Sequence, residues 1–91
     1  RDGSGPIKAD FSKEVEYTLE NLKIILEEFG SSLRDVIKVT VFLTDMSKFS
    51  EFNEIYKRYF SEIYPARSCV GVNELPGGIS VEIEAIALCR D

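Results

Sequence analysis

Val36-Ile37-Lys38-Val39-Thr40-Val41-Phe42-Leu43-Thr44 decides the fold class of this chain. Ile37, Val39, Val41 and Leu43 alternate with Lys38, Thr40, Phe42 and Thr44. Successive side chains of a strand point to opposite faces, so this alternation reads as β. The run is rich in β-branched residues, which suit a pleated surface. One of its faces is wholly aliphatic and is expected to pack on helices.

On the N-terminal side, Ser31 to Asp35 is a short connection and Gly30 a natural helix stop. Between Phe11 and Phe29 the apolar residues Val15, Leu19, Leu22, Leu26 and Phe29 fall at steps of four and three, one helical face. Glu14, Glu16, Glu20, Lys23 and Glu27 fill polar positions, and Asp10 is placed to cap the helix. Arg1 to Ala9 reads as a Gly/Pro-rich lead-in rather than the opening of a fold. On the C-terminal side, Asp45-Met46-Ser47 breaks the strand, with Asp45 or Ser47 as cap. Phe49, Phe52, Tyr56, Tyr59, Phe60 and Ile63 then follow helical spacing over about 15 residues, with Pro65 as terminator. The aromatic stripe is read as core packing. Ala66 to Val72 reads as a short strand, Asn73 to Gly78 as a turn-rich loop, and Ile79 to Leu88 as the last strand. The order α-β-α-β-β predicts an α+β two-layer sandwich, with helices on one face of a mainly antiparallel sheet.

A length of 91 residues suits a single domain, 1–91, whose own core is small. The net charge of −5 disfavours sequence-independent nucleic-acid binding, which needs a basic surface. Histidine is absent, which removes His-based acid–base chemistry, Ser-His and Cys-His pairs and His-ligated metal sites. Cys69 and Cys89 lack the spacing of a zinc site and read as small buried residues with reduced thiols, in a cytoplasmic setting. No apolar run approaches the ~20 residues of a membrane span, and no signal segment opens the chain.

Glu82 and Glu84 lie two apart on the last strand and so share a face with Ile86 and Leu88. The wet face of an antiparallel sheet is the favoured account of them from pattern alone. Arg67 follows Pro65-Ala66 at the start of a strand. It fits a surface residue, a cross-strand partner of Glu82 or Glu84, or a clamp whose planar fork binds a carboxylate through two parallel hydrogen bonds. Asn53 sits amid the aromatic stripe, where a structural hydrogen-bond role is favoured.

Pro65-Ala66-Arg67-Ser68-Cys69-Val70, Leu75-Pro76 and Val81-Glu82-Ile83-Glu84-Ala85-Ile86-Ala87 resemble the C-terminal signature of the Rid (YjgF-type) enamine/imine deaminases. Asn21-Leu22, Val39-Thr40-Val41-Phe42-Leu43-Thr44-Asp45-Met46 and Phe49-Ser50-Glu51-Phe52-Asn53 fit the same pattern in order. The resemblance implies a chorismate-mutase-like fold, assembled as a homotrimer with a cleft at each subunit interface. It implies hydrolysis of amino-acid-derived imines such as 2-iminobutanoate or 2-iminopropanoate to 2-oxo acids and ammonia, with no cofactor and no metal. By position, Arg67 would bind the substrate carboxylate, the main chain of Cys69 would approach the substrate, and Glu82 would hold the attacking water. Glu84 is the competing carboxylate, and Asn53 a structural residue near the site. The family's β-hairpin before the first helix, with its aromatic residue and Ser-Gly turn, has no counterpart in this text. The sequence therefore reads as an N-terminally truncated Rid-type domain. Three other readings stay open: a small-carboxylate binder without turnover, a ribonuclease or translation inhibitor, and a fragment that acts only by interaction.

Overall fold

The computed structural model describes residues 11–62 and 64–89. The central strand forms where the alternation places it: β1 spans Val36–Leu43. Two more strands flank it, β2 (Ala66–Gly71) and β3 (Val81–Ala87), in the order β2-β1-β3. β1 pairs with β2 in parallel and with β3 antiparallel. The described sheet is thus mixed, with one pairing of each sense where a mainly antiparallel sheet was expected. The reason is the helix between β1 and β2. A parallel neighbour needs a crossover, and that helix carries the chain back to the end where β1 began.

Val36, Val39, Val41 and Leu43 are the buried residues of β1. Ile37, expected on this face, is half exposed instead (50%). The pairing steps from Val36↔Ala87 to Lys38↔Ile86, so Ile37 is the extra residue of a β-bulge. The bulge resets the alternation and lets Val36 turn inward. On β3, Val81, Ile83, Ala85 and Ala87 meet the core as the alternation predicts.

α1 spans Phe11–Glu28 and buries Phe11, Val15 and Leu19, with Leu26 partly buried. Its end is set by Gly30, whose φ of 80° is cheap only for a residue without Cβ. Ser31 N–H donates to the Leu26 carbonyl (2.8 Å) and Gly30 N–H to that of Glu27 (3.3 Å). These two bonds make a Schellman cap. Phe29 falls after the last helical turn and is 72% exposed, so the apolar face stops short of it. Asp10, the expected N-cap, lies outside the described residues.

Asp45 does cap the next turn: its carboxylate accepts from Ser47 N–H (3.0 Å) and Ser47 Oγ (2.6 Å). These bonds hold its carboxyl below the ordinary range. α2 then runs Phe49–Tyr59, 11 residues, and buries Phe52, Ile55 and Tyr56. It is shorter than expected. Phe60 leaves helical geometry (φ −117°, ψ 69°) while its ring stays in the core, so the helix ends well before Pro65. Ile63 lies outside the described residues.

The two helices cover the Val39/Val41/Leu43 side of the sheet and run in the same sense. Ser12, Glu16 and Glu20 of α1 meet Glu51, Arg58 and Tyr59 of α2 in turn, at 2.6, 3.1 and 2.9 Å. These contacts are exposed, and such pairs contribute about 0–1 kcal/mol each. Burial of the aliphatic and aromatic side chains between the layers is the larger effect, roughly 1.5–3 kcal/mol per fully buried residue.

Phe52 is fully buried and Phe29 is exposed. Phe52→Ala is expected to cost about 3–5 kcal/mol, and Phe29→Ala within about 0.5 kcal/mol. Urea denaturation of the two variants checks the contrast.

Candidate functional site: an arginine under the second helix

β2 begins at Ala66, and its register against β1 decides where the next side chains point. Arg67 pairs with Val39 and Cys69 with Val41, so both face the helix layer. Phe49, Asn53 and Tyr56 recur at steps of four and three on α2, which puts them on one face. That face lies over β2. The Arg67 guanidinium stands 4.6 Å from the Tyr56 ring centre and 5.4 Å from that of Phe49. Its Nη1 donates to Asn53 Oδ1 at 2.7 Å. Asn53 thus sits in the aromatic stripe because Arg67 lies beneath it.

A cleft of about 270 Å³ opens beside this group, between Asn53, Tyr56 and Phe60 of the α2 segment and Tyr64, Pro65 and Arg67. Arg67 is half-buried, and among the described residues no carboxylate pairs with it. Two aromatic faces and an amide oxygen stabilise the cation without cancelling its charge. The cleft wall therefore presents a fixed positive charge with donors left over, an arrangement suited to a carboxylate.

Cys69 is half-buried two residues further along β2. Burial pushes its thiol up, against a smaller opposing effect from the Arg67 charge. At neutral pH it stays protonated, a poor nucleophile. Cys89 differs from its expected burial: it lies past the end of β3 and is exposed.

Glu82 and Glu84 pair with Phe42 and Thr40 of β1. As expected they share a face, and it is the face the helices leave open. Glu82 is half-buried and Glu84 exposed. Thr40 and Glu84 line a shallow hollow there with Lys38, Ala85 and Ile86. The expected partnership of Arg67 with Glu82 or Glu84 across neighbouring strands is not formed. β1 lies between β2 and β3, so two strand spacings, about 9–10 Å, separate them. Register also sends Arg67 to one face and the carboxylates to the other. A single chain does not bring them together.

The role of Tyr56 and Phe49 as a shelf for Arg67 was missed in the aromatic stripe. The signal was present in the Phe49/Asn53/Tyr56 spacing, but only the parallel placement of β2 gives it meaning. Among the described residues no cluster of three or more His, Cys, Asp or Glu could hold a metal ion. No helix among them is long and apolar enough to cross a membrane.

Over residues 1–89 the sequence matches the family described as Endoribonuclease L-PSP. The chain belongs to this family, the Rid (YjgF) proteins. A RutC family protein of Pyrococcus horikoshii is 52% identical over 81 residues, which is 89% of this chain and 64% of that relative. The 2-iminobutanoate/2-iminopropanoate deaminase of Salmonella typhimurium is 41% identical over 90 residues, 96% of this chain and 70% of that enzyme. The crystal structure of Escherichia coli TdcF with bound serine superposes with a TM-score of 0.85 at 46% identity, covering 94% of this chain and 70% of TdcF. This Rid chain thus spans just under two thirds of the archaeal relative's length. Among the described residues, two helices on a three-stranded mixed sheet share the fold of the TdcF structure.

The protonated state of Cys69 has a direct chemical consequence. In a Cys89→Ser background, iodoacetamide labelling of Cys69 is expected to be slow at neutral pH. Its rate should rise with a midpoint above that of an ordinary thiol, as mass spectrometry across a pH series measures.

Proposed function

We propose that this chain carries an imine/enamine deaminase site, in which Arg67 binds the carboxylate of an amino-acid-derived imine and Glu82 prepares the attacking water. The observation that carries the reading is the half-buried Arg67 guanidinium, uncompensated by any described carboxylate, at the wall of a cleft. Two relatives support it. The Salmonella relative is named for 2-iminobutanoate and 2-iminopropanoate, and serine, bound in the TdcF structure, is itself a small amino acid with a carboxylate.

The chemistry is a hydrolysis. The imine carbon is planar and electrophilic. Water oxygen adds to it, the C=N π pair moves to nitrogen, and the Glu82 carboxylate accepts the water's proton. Glu82 returns that proton to nitrogen; the carbinolamine oxygen then loses its own proton and forms C=O as the C–N bond breaks, giving a 2-oxo acid and ammonia. A base placed in this way contributes about 10²–10⁴-fold. Arg67 holds the carboxylate and fixes which face of the carbon meets the water. In this reading the main chain of Cys69 lines the substrate, and no cofactor takes part.

Arg67 and Glu82 face opposite sides of one sheet, so the complete site takes Arg67 from one copy and Glu82 from another. A homotrimer with clefts between subunits meets that requirement. The uncovered apolar side chains on the open face, Val70, Ile86 and Leu88, favour such an assembly. A second reading, carboxylate binding without turnover, is favoured by the same separation, because the clamp is complete in one chain and the water-holder is not. Endoribonuclease activity, for which the family is named, is opposed by the net charge of −5.

The test generates 2-iminobutanoate in situ with a threonine dehydratase and follows its loss with semicarbazide as trap, alongside 2-oxobutanoate binding. Arg67→Ala is expected to abolish binding and turnover. Glu82→Gln should keep binding and lower turnover by about 10²–10⁴-fold. The two inactive variants, refolded together, should regain up to about a quarter of the parent's sites by random mixing across a heterologous interface. Binding without turnover by the parent would establish the binder instead. Binding unchanged in Arg67→Ala would remove the clamp.

A further inference from the structure

We propose that Tyr56 is a positioning residue for the clamp: its ring is the shelf that, with Asn53, presets the plane of the Arg67 guanidinium. The inference deepens the carboxylate-clamp reading above and rests on it. Three contacts surround the guanidinium: the Tyr56 ring at 4.6 Å, the Phe49 ring at 5.4 Å, and Asn53 Oδ1 at 2.7 Å from Nη1. A hydrogen bond at Nη1 and a ring beside the cation restrict its movement. Nη1 is engaged, while Nε and Nη2 meet no acceptor among the described residues. That free edge is the one with which arginine makes two parallel bonds to a carboxylate.

Tyr56 is held rigidly enough to act as a shelf. It is buried in the core cluster, 6% exposed, and stacks on Phe60 with ring centres 4.7 Å apart. Phe52 flanks it at 5.6 Å. Its hydroxyl is shut off from solvent and has no hydrogen-bond partner among the described residues. The hydroxyl therefore cannot be what serves the cleft, and the ring must be. Desolvation pushes the phenol's pKa up despite the Arg67 charge, so the ring stays neutral and leaves that charge uncancelled. A fork already held in place loses less entropy on binding, and that gain appears as affinity.

The test uses ¹⁵N-labelled protein and 2-oxobutanoate as probe. In the parent chain the Arg67 Nε–H proton, identified by its loss in Arg67→Lys, should be displaced upfield by the ring current of Tyr56. An ordinary shift there overturns the inference without any Tyr56 variant having to fold. Tyr56→Phe keeps the ring, and should keep both the displaced resonance and probe affinity within about threefold. Tyr56→Leu removes the ring; the resonance should return to its ordinary position and affinity fall about tenfold. Asn53→Ala should also weaken binding. Tyr56→Leu binding the probe as the parent does, while Arg67→Ala abolishes binding, overturns the shelf but leaves the clamp standing. Binding that is absent in the parent, or unaffected by Arg67→Ala, overturns the clamp and the shelf with it.

Discussion

The position of β1 between two strands of opposite sense is the constraint on which the rest of the structure depends. Its inward row, Val39, Val41 and Leu43, is fully buried under the helices, so its rotation is fixed by hydrophobic burial. Each neighbour then inherits a parity from it. Residues paired with the inward row, Arg67 and Cys69 on β2 and Val81, Ile83 and Ala85 on β3, face the helices. Residues paired with Lys38, Thr40 and Phe42 face away. A slip of one residue between β1 and β2 would move Arg67 to the open face, away from Asn53 and both aromatic rings. The burial that holds β1 therefore also places the candidate site.

Among the described residues, the site keeps a cation half-buried without giving it a carboxylate. Burying a charge is costly unless it is paired or hydrogen-bonded. A glutamate would meet that need best, but would leave no net charge to attract an anion. Aromatic faces and an amide oxygen meet it only in part, and the residual field is what the cleft has to offer. Two arginines elsewhere are used differently: Arg34 and Arg58 each pair with a glutamate at the surface. Arg67 contrasts with them through its neighbours, not its residue type.

The helix layer covers one side of the sheet, and two groups of exposed apolar side chains are notable. Val70, Ile86 and Leu88 stand out on the open face. Tyr17, Ile25 and Ile79 line a groove of about 220 Å³ where α1 passes β3. A core of this size buries a limited share of its chain's apolar surface. Glu82 lines that groove and stands on the open face of the sheet.

The sequence by itself determined the elements and their faces. Period-two alternation marked β1 and β3, steps of three and four marked both helices, and Gly30 and Asp45 marked where the chain turns. These signals are local: each depends on residues close together in the chain. Burial of Val36 instead of Ile37, the early end of α2 at Phe60 and the parallel sense of β2 escaped that reading. Each depends on how a segment docks against others distant in sequence. The site divides the same way. Arg67, Glu82 and Asn53 stood out as candidates by type and by resemblance, but which of them meet was decided by strand order and register. The tertiary structure joined Arg67 to Asn53 and Tyr56 and set Glu82 on the far side of the sheet. Side-chain direction in a strand is inherited from its partner's burial, and the sequence does not name the partner.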